Sequence, residues 1–145
     1  MGGQSVLNAA KELPFIKGVA ALAAYDIGAA FRYGMEKDLF LMIETEGQCL
    51  KMNSAGEVYE NALNNRFELA ILNGAEKLAE HNVLLVEAES DTVAPPDKML
   101  RPLYDKLKSL NSSVAFESVP SGHSFAGQRM KLTKILSSWM EKTIG

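Results

Sequence analysis

The chain has a single cysteine, Cys49, so no disulfide can form within it, and a reducing compartment suits it. Its two histidines, His81 and His123, lie far apart and lack the spacing of metal ligands, so neither a metal site nor any other cofactor is expected. No apolar run approaches the ~18 residues that a bilayer-spanning helix needs. The start shows no basic segment followed by an apolar stretch, so no secretory leader is read there. Val6 stands where a myristoylation signal wants Ser or Thr. A cytoplasmic protein without membrane attachment is the plain expectation. Cations do not dominate either: 15 Lys and Arg face 18 Asp and Glu, a net charge of -3. Without a basic stripe interleaved with aromatics, nucleic acid is excluded as the expected partner.

What is present is enough for one domain, residues 1–145, of which 47% are hydrophobic. A chain of that size buries roughly two thirds of its unfolded surface. Residues 4–13 carry Val6, Leu7, Ala10 and Leu13 at helical spacing, and Pro14 cannot continue the helix. Residues 18–25 form an uninterrupted apolar run. Alanine favours helix here, but the brevity of the run and its flanking Gly18 and Gly28 predict a strand buried on both faces. From Ala29 to His81 the periodicity is helical, and it predicts three helices, over 29–44, 55–64 and 68–80. Asn82 to Ala88 is the clearest strand. Asp97 is expected to cap a helix running to Leu110, with Lys106 and Lys108 near its carboxyl end. A strand over 114–119 and a helix over 128–142 close the chain. Strands alternating with helices define an α/β protein with three mostly parallel strands.

Ligands and catalytic groups on such a sheet gather beyond the carboxyl ends of the strands. Asp91 follows the strand ending at Ala88, and His123 follows the one ending at Val119. Both are expected on loops at the same sheet edge, from adjacent strands. An aspartate so placed holds an imidazole in one tautomer and stabilises the imidazolium formed in catalysis.

At this point a family resemblance enters. Residues 83–96, with Ser90-Asp91-Thr92-Val93-Ala94-Pro95, resemble the acid strand and loop of α/β-hydrolases. Ser121-Gly122-His123-Ser124-Phe125 resembles their histidine loop, and the order of acid, base and closing helix agrees with theirs. The resemblance implies a partial α/β-hydrolase fold, with residues 29–81 as a helical cap-like insert. It also implies a serine hydrolase acting on a small acyl substrate (ester, thioester or amide), with Asp91 as triad acid and His123 as general base. Met1-Gly2-Gly3 resembles the end of that family's nucleophile elbow, Gly-x-Ser-Met-Gly-Gly. On that registration Met1 takes the position whose backbone nitrogen helps form the oxyanion hole, and the serine and the strands preceding it are missing. The chain is then expected to be inactive alone.

Plainer readings stand beside these. Asp91 taken alone is an ordinary turn residue ahead of Pro95-Pro96, and His123 taken alone a surface histidine. Ser121 and Ser124 flank His123, but near neighbours in one loop rarely reach the geometry that activates a hydroxyl. Cys49 reads as a small buried hydrophobe, and Met35, Phe40, Leu41, Met42 and Met52 as packing of the insert. His81 reads as structural at a helix end. Lys98, Arg101, Lys106 and Lys108 read as a solvated helix face. If the preceding strands are missing, the apolar strand between Val19 and Tyr25 is an unpaired edge, and such an edge is an association site. It predicts a homo-oligomer, or pairing with a missing N-terminal half. The alternative function is a non-catalytic truncated half-domain that associates with itself or a partner.

Overall fold

The computed structural model describes residues 2–47, 54–110 and 113–144. Met1, Cys49 and Met52, and the expectations attached to them, lie outside the described residues. The chain divides into two compact units, residues 1–25 with 71–145, and residues 26–70.

The first unit is a three-stranded sheet, β1 (Gly18–Leu22), β2 (Asn82–Ala88) and β3 (Val114–Val119), in the order β1-β2-β3. Every pairing is parallel, with Ala20 opposite Leu84 and Glu87 opposite Ser118. Side chains alternate across a strand, which splits the core into two layers. On one face Val19, Ala21, Val83 and Leu85 pack with Leu7 and Ala10 of α1 (Gly2–Ala10) and with Leu103 and Leu107 further along the chain. On the other, Ala23, Leu84, Val86, Ala88 and Val119 meet Leu132, Ile135, Leu136 and Trp139 of the last helix. A central strand apolar on both faces is what a covered parallel sheet requires.

The second unit is helical: α2 (Ile27–Arg32), α3 (Glu36–Glu46), α4 (Ala55–Asn64) and α5 (Arg66–Leu69). Asp26 caps α2 by accepting from the Gly28 N–H at 2.9 Å, and Ser54 caps α4 through Glu57 N–H at 3.1 Å. Tyr59 of α4 contacts Phe31 and Phe40, with ring centroids 5.8 and 5.7 Å apart. Met35 is buried as packing predicts, whereas Leu41 is exposed. The chain then returns to the first unit through a 3-10 turn (Ile71–Gly74), α6 (Ala75–Leu78), β2, α7 (Arg101–Ser109), β3 and α8 (Arg129–Ile144).

Five sequence expectations are corrected. The helix over 29–44 is two helices, because Gly34 adopts φ +68° and the Met35 N–H reaches back to the Ala30 carbonyl at 2.8 Å, a Schellman ending. The helix over 68–80 is broken at Ala70, whose backbone is extended, and resumes as the 3-10 turn and α6. Asp97 caps nothing: the carbonyls of Pro95 and Pro96 take the N–H groups of Lys98 through Arg101, and α7 starts only at Arg101. The first helix also ends earlier, at Ala10, and β1 stops at Leu22, where Ala23 turns to φ 43° while its N–H bonds the Val86 carbonyl at 2.9 Å.

Gly3 is the close approach between α1 and the end of β1. A Cβ there would stand 2.7 Å from Ala24 Cβ and 2.9 Å from Ala24 Cα. Gly3→Ala is therefore expected to destabilise the first unit by about 1–2 kcal/mol, as overpacking does, and the denaturant midpoint measures it.

Candidate active site

Asp91 and His123 meet. β2 and β3 run side by side, and their pairing continues past the strand ends, where Glu89 N–H donates to the Val119 carbonyl at 2.9 Å and Ser90 N–H to the Ser121 carbonyl at 3.0 Å. The two loops therefore leave the sheet in step. Asp91 Oδ2 lies 2.8 Å from His123 Nδ1.

The surroundings of Asp91 fix its carboxylate. Oδ1 accepts from the N–H of Val93 at 2.9 Å and of Ala94 at 2.8 Å, an Asx turn that closes the loop on its own side chain. The side chain is fully buried, whereas that of His123 is 40% exposed. A carboxylate only accepts, so the hydrogen on the shared bond belongs to Nδ1 and the neutral ring presents a bare Nε2. No hydrogen bond joins that Nε2 to another of the described residues. Ser121 turns its hydroxyl to the Gly122 carbonyl at 3.0 Å instead.

The histidine loop is anchored from below. Phe125 is buried in the layer beneath the sheet with Val86, Ala88 and Val119, and its N–H returns to the Gly122 carbonyl at 3.0 Å. It adopts φ 52°, a left-handed conformation that a bulky side chain reaches only where packing imposes it. The sequence marks Phe125 only as an apolar residue among small polar ones.

Sequence reasoning missed a second cluster at the same end of the strands. Glu87, the one charged residue of β2, is buried, and Arg101 grips it with Nε at 2.9 Å from Oε2 and Nη2 at 2.8 Å from Oε1. Ser118 Oγ on β3 adds a third donor to Oε1 at 2.9 Å. Burial alone raises the Glu87 pKa, but the bonds from Arg101 and Ser118 and the guanidinium charge outweigh it and hold the carboxyl below its ordinary range. Glu87 in turn raises the Arg101 pKa. Arg101 is exposed, as a helix-face residue should be, yet its guanidinium is committed to Glu87, and Lys106 pairs with Glu76 at 3.1 Å. The available signal was a lone glutamate inside an apolar strand run. His81 is buried, with Nδ1 2.8 Å from the Ile16 carbonyl, a structural place.

The arrangement is that of an α/β protein in which Asp91 and His123 stand on adjacent loops at the carboxyl edge of a parallel sheet. No protein-family model and no curated protein matches the sequence. Among solved structures the chain is similar to the acylaminoacyl peptidase of Pyrococcus horikoshii. In the orthorhombic crystal form the TM-score is 0.73 at 19% identity over 98% of this chain and 22% of that one. In the uncomplexed structure it is 0.67 at 18% identity, with the same coverage of both chains. The likeness shows the fold of this chain, three parallel strands flanked by helices in an α/β arrangement like the part of that peptidase it covers. The chain spans 22% of the length of the solved chains it matches. No helix among the described residues is long and apolar enough to cross a membrane.

Proposed function

We propose that this chain carries the acid and base of a serine hydrolase that cleaves an ester, thioester or amide. The observation that carries the reading is the Asp91–His123 bond, made by a fully buried carboxylate and leaving Nε2 without a hydrogen bond to the other described residues. A base so held can take a proton from an attacking hydroxyl and return it to the leaving group, while Asp91 stabilises the imidazolium between the two steps.

The hydroxyl itself is not supplied by the residues around His123. In this reading it belongs to an elbow whose last residues are Met1-Gly2-Gly3, and the close packing of Gly3 on Ala24 supports that registration, because the elbow's helix must approach the strand beside it. Residues 1–145 alone are expected to hydrolyse no acyl substrate and to take up no fluorophosphonate probe. Stoichiometric labelling would overturn the assignment of the nucleophile. An in-frame Gly-x-Ser encoded directly upstream of the Met1 codon would support it.

The outer side of β1 pairs with no strand among the described residues, and its residues are apolar. An open edge of that kind recruits another strand. In the isolated chain we take that strand to come from a second copy, so size-exclusion chromatography with light scattering at micromolar concentration is expected to give a dimer. A stable monomer speaks against the pairing.

A further inference from the structure

We propose that Glu87 is a positioning residue for the Asp91–His123 pair. Together with Arg101 and Ser118 it fixes both ends of the acid loop and ties that loop to the strand from which the histidine loop departs. The inference rests on the hydrolase reading and deepens it.

A carboxylate is an expensive choice for this position. Replacing a buried ion pair by apolar residues of similar volume is often neutral or stabilising, and every neighbour of Glu87 along β2 from Val83 to Ala88 is apolar. Its partners give it a role that packing would not. The two prongs of Arg101 reach back across fourteen positions of chain, and Asp91 lies between the two residues of that clamp. The planar guanidinium fixes direction as well as distance, which a single point charge does not. Arg101 opens α7, so the grip also ties the first residue of that helix to β2.

The third donor links the other loop. Ser118 is the register partner of Glu87 on β3 and bonds Oε1 at 2.9 Å, with Glu89 Oε1 a more distant alternative at 3.1 Å. From Ser118 the chain runs through Val119 to the loop that holds His123. One carboxylate therefore gathers the strand before Asp91, the helix after it and the strand before His123. The bonds at Glu89 and Ser90 hold the near ends of the loops, and the clamp holds the far end of the acid loop, which those bonds do not reach.

The test is nuclear magnetic resonance on the full 145-residue chain, following the position of the His123 ring proton and the exchange of Nδ1–H with water at low temperature. Amide protection of Leu84, Leu85 and Val86 reports whether the sheet is intact. Glu87→Gln and Ser118→Ala are expected to accelerate Nδ1–H exchange tenfold or more while those amides stay protected. Arg101→Lys, which keeps the charge and loses the fork, is expected to fall between them and the natural chain. Lys106→Ala, which breaks only the pair with Glu76, is expected to change nothing. Should Glu87→Gln lose amide protection, Ser118→Ala decides. An Nδ1–H exchange rate unchanged within twofold in the folded variants overturns the positioning role and leaves the hydrolase reading standing. A natural chain whose neutral His123 carries its proton on Nε2 overturns both.

Discussion

Asp91→Asn is expected to leave the chain folded and to move the proton of the neutral His123 ring from Nδ1 to Nε2. Oδ1 of Asp91 satisfies the N–H groups of Val93 and Ala94, and an asparagine must keep its amide oxygen there, because the alternative leaves a buried N–H at Ala94 without an acceptor. Such a loss costs about 1–3 kcal/mol. The amide nitrogen then occupies the place of Oδ2, 2.8 Å from Nδ1. Two donors cannot face each other, so Nδ1 becomes the acceptor and Nε2 takes the hydrogen. The ring has then lost the lone pair that would accept a hydroxyl proton. Where the nucleophile is supplied, kcat is expected to fall by about 10⁴-fold, the size of the effect when a triad acid is turned into its amide. Two-bond nitrogen–proton correlations distinguish the tautomers in the isolated chain. Unchanged protonation at Nδ1 would show that Asp91 does not set the tautomer.

Arg101→Ala is expected to cost about 2–3 kcal/mol at pH 7. That is less than the ~3–5 kcal/mol of breaking a fully buried pair, because the Arg101 side chain is 53% exposed while Glu87 is 2% exposed. The pH dependence identifies the cause. In the natural chain the Glu87 pKa is lowered, so its contribution is complete above the unfolded value of about 4.3 and disappears as pH falls through the folded value. Without Arg101 the raising effect of burial meets only Ser118, and the Glu87 pKa moves above its unfolded value. Ionising the group then opposes folding, and the variant loses stability as pH rises through that interval. The gap between the two proteins is expected to be widest near neutral pH and to shrink as pH falls through the folded-state value of Glu87. Urea denaturation at several pH values measures it. A gap independent of pH would mean that Arg101 acts through packing.

The sequence was most legible where a single physical demand acts on each residue. β2 is apolar but for Asn82 and Glu87, and its limits, like those of β3 and α4, agree with those read from the sequence. Helix breaks were harder, because Ala70 is a good helix former and gives no local sign that its backbone is extended. The start of α7 was hidden for a related reason. Asp97 is a favourable cap residue by type, but the carbonyls of Pro95 and Pro96 satisfy the first amides of that turn instead. Asp91 and His123 were found because parallel topology sends successive strand ends to one edge. Glu87 and Arg101 were not, since a glutamate in a strand and an arginine on a helix announce no partner until the fold brings them together.

Asp91, His123 and the Glu87–Arg101 clamp all lie between Asn82 and His123, in the stretch formed by β2, α7, β3 and the loop that follows. The helices of residues 26–70 fall in a different stretch of chain. Exchanging residues 26–70 for another segment of similar helical makeup is expected to leave the Asp91–His123 hydrogen bond in place.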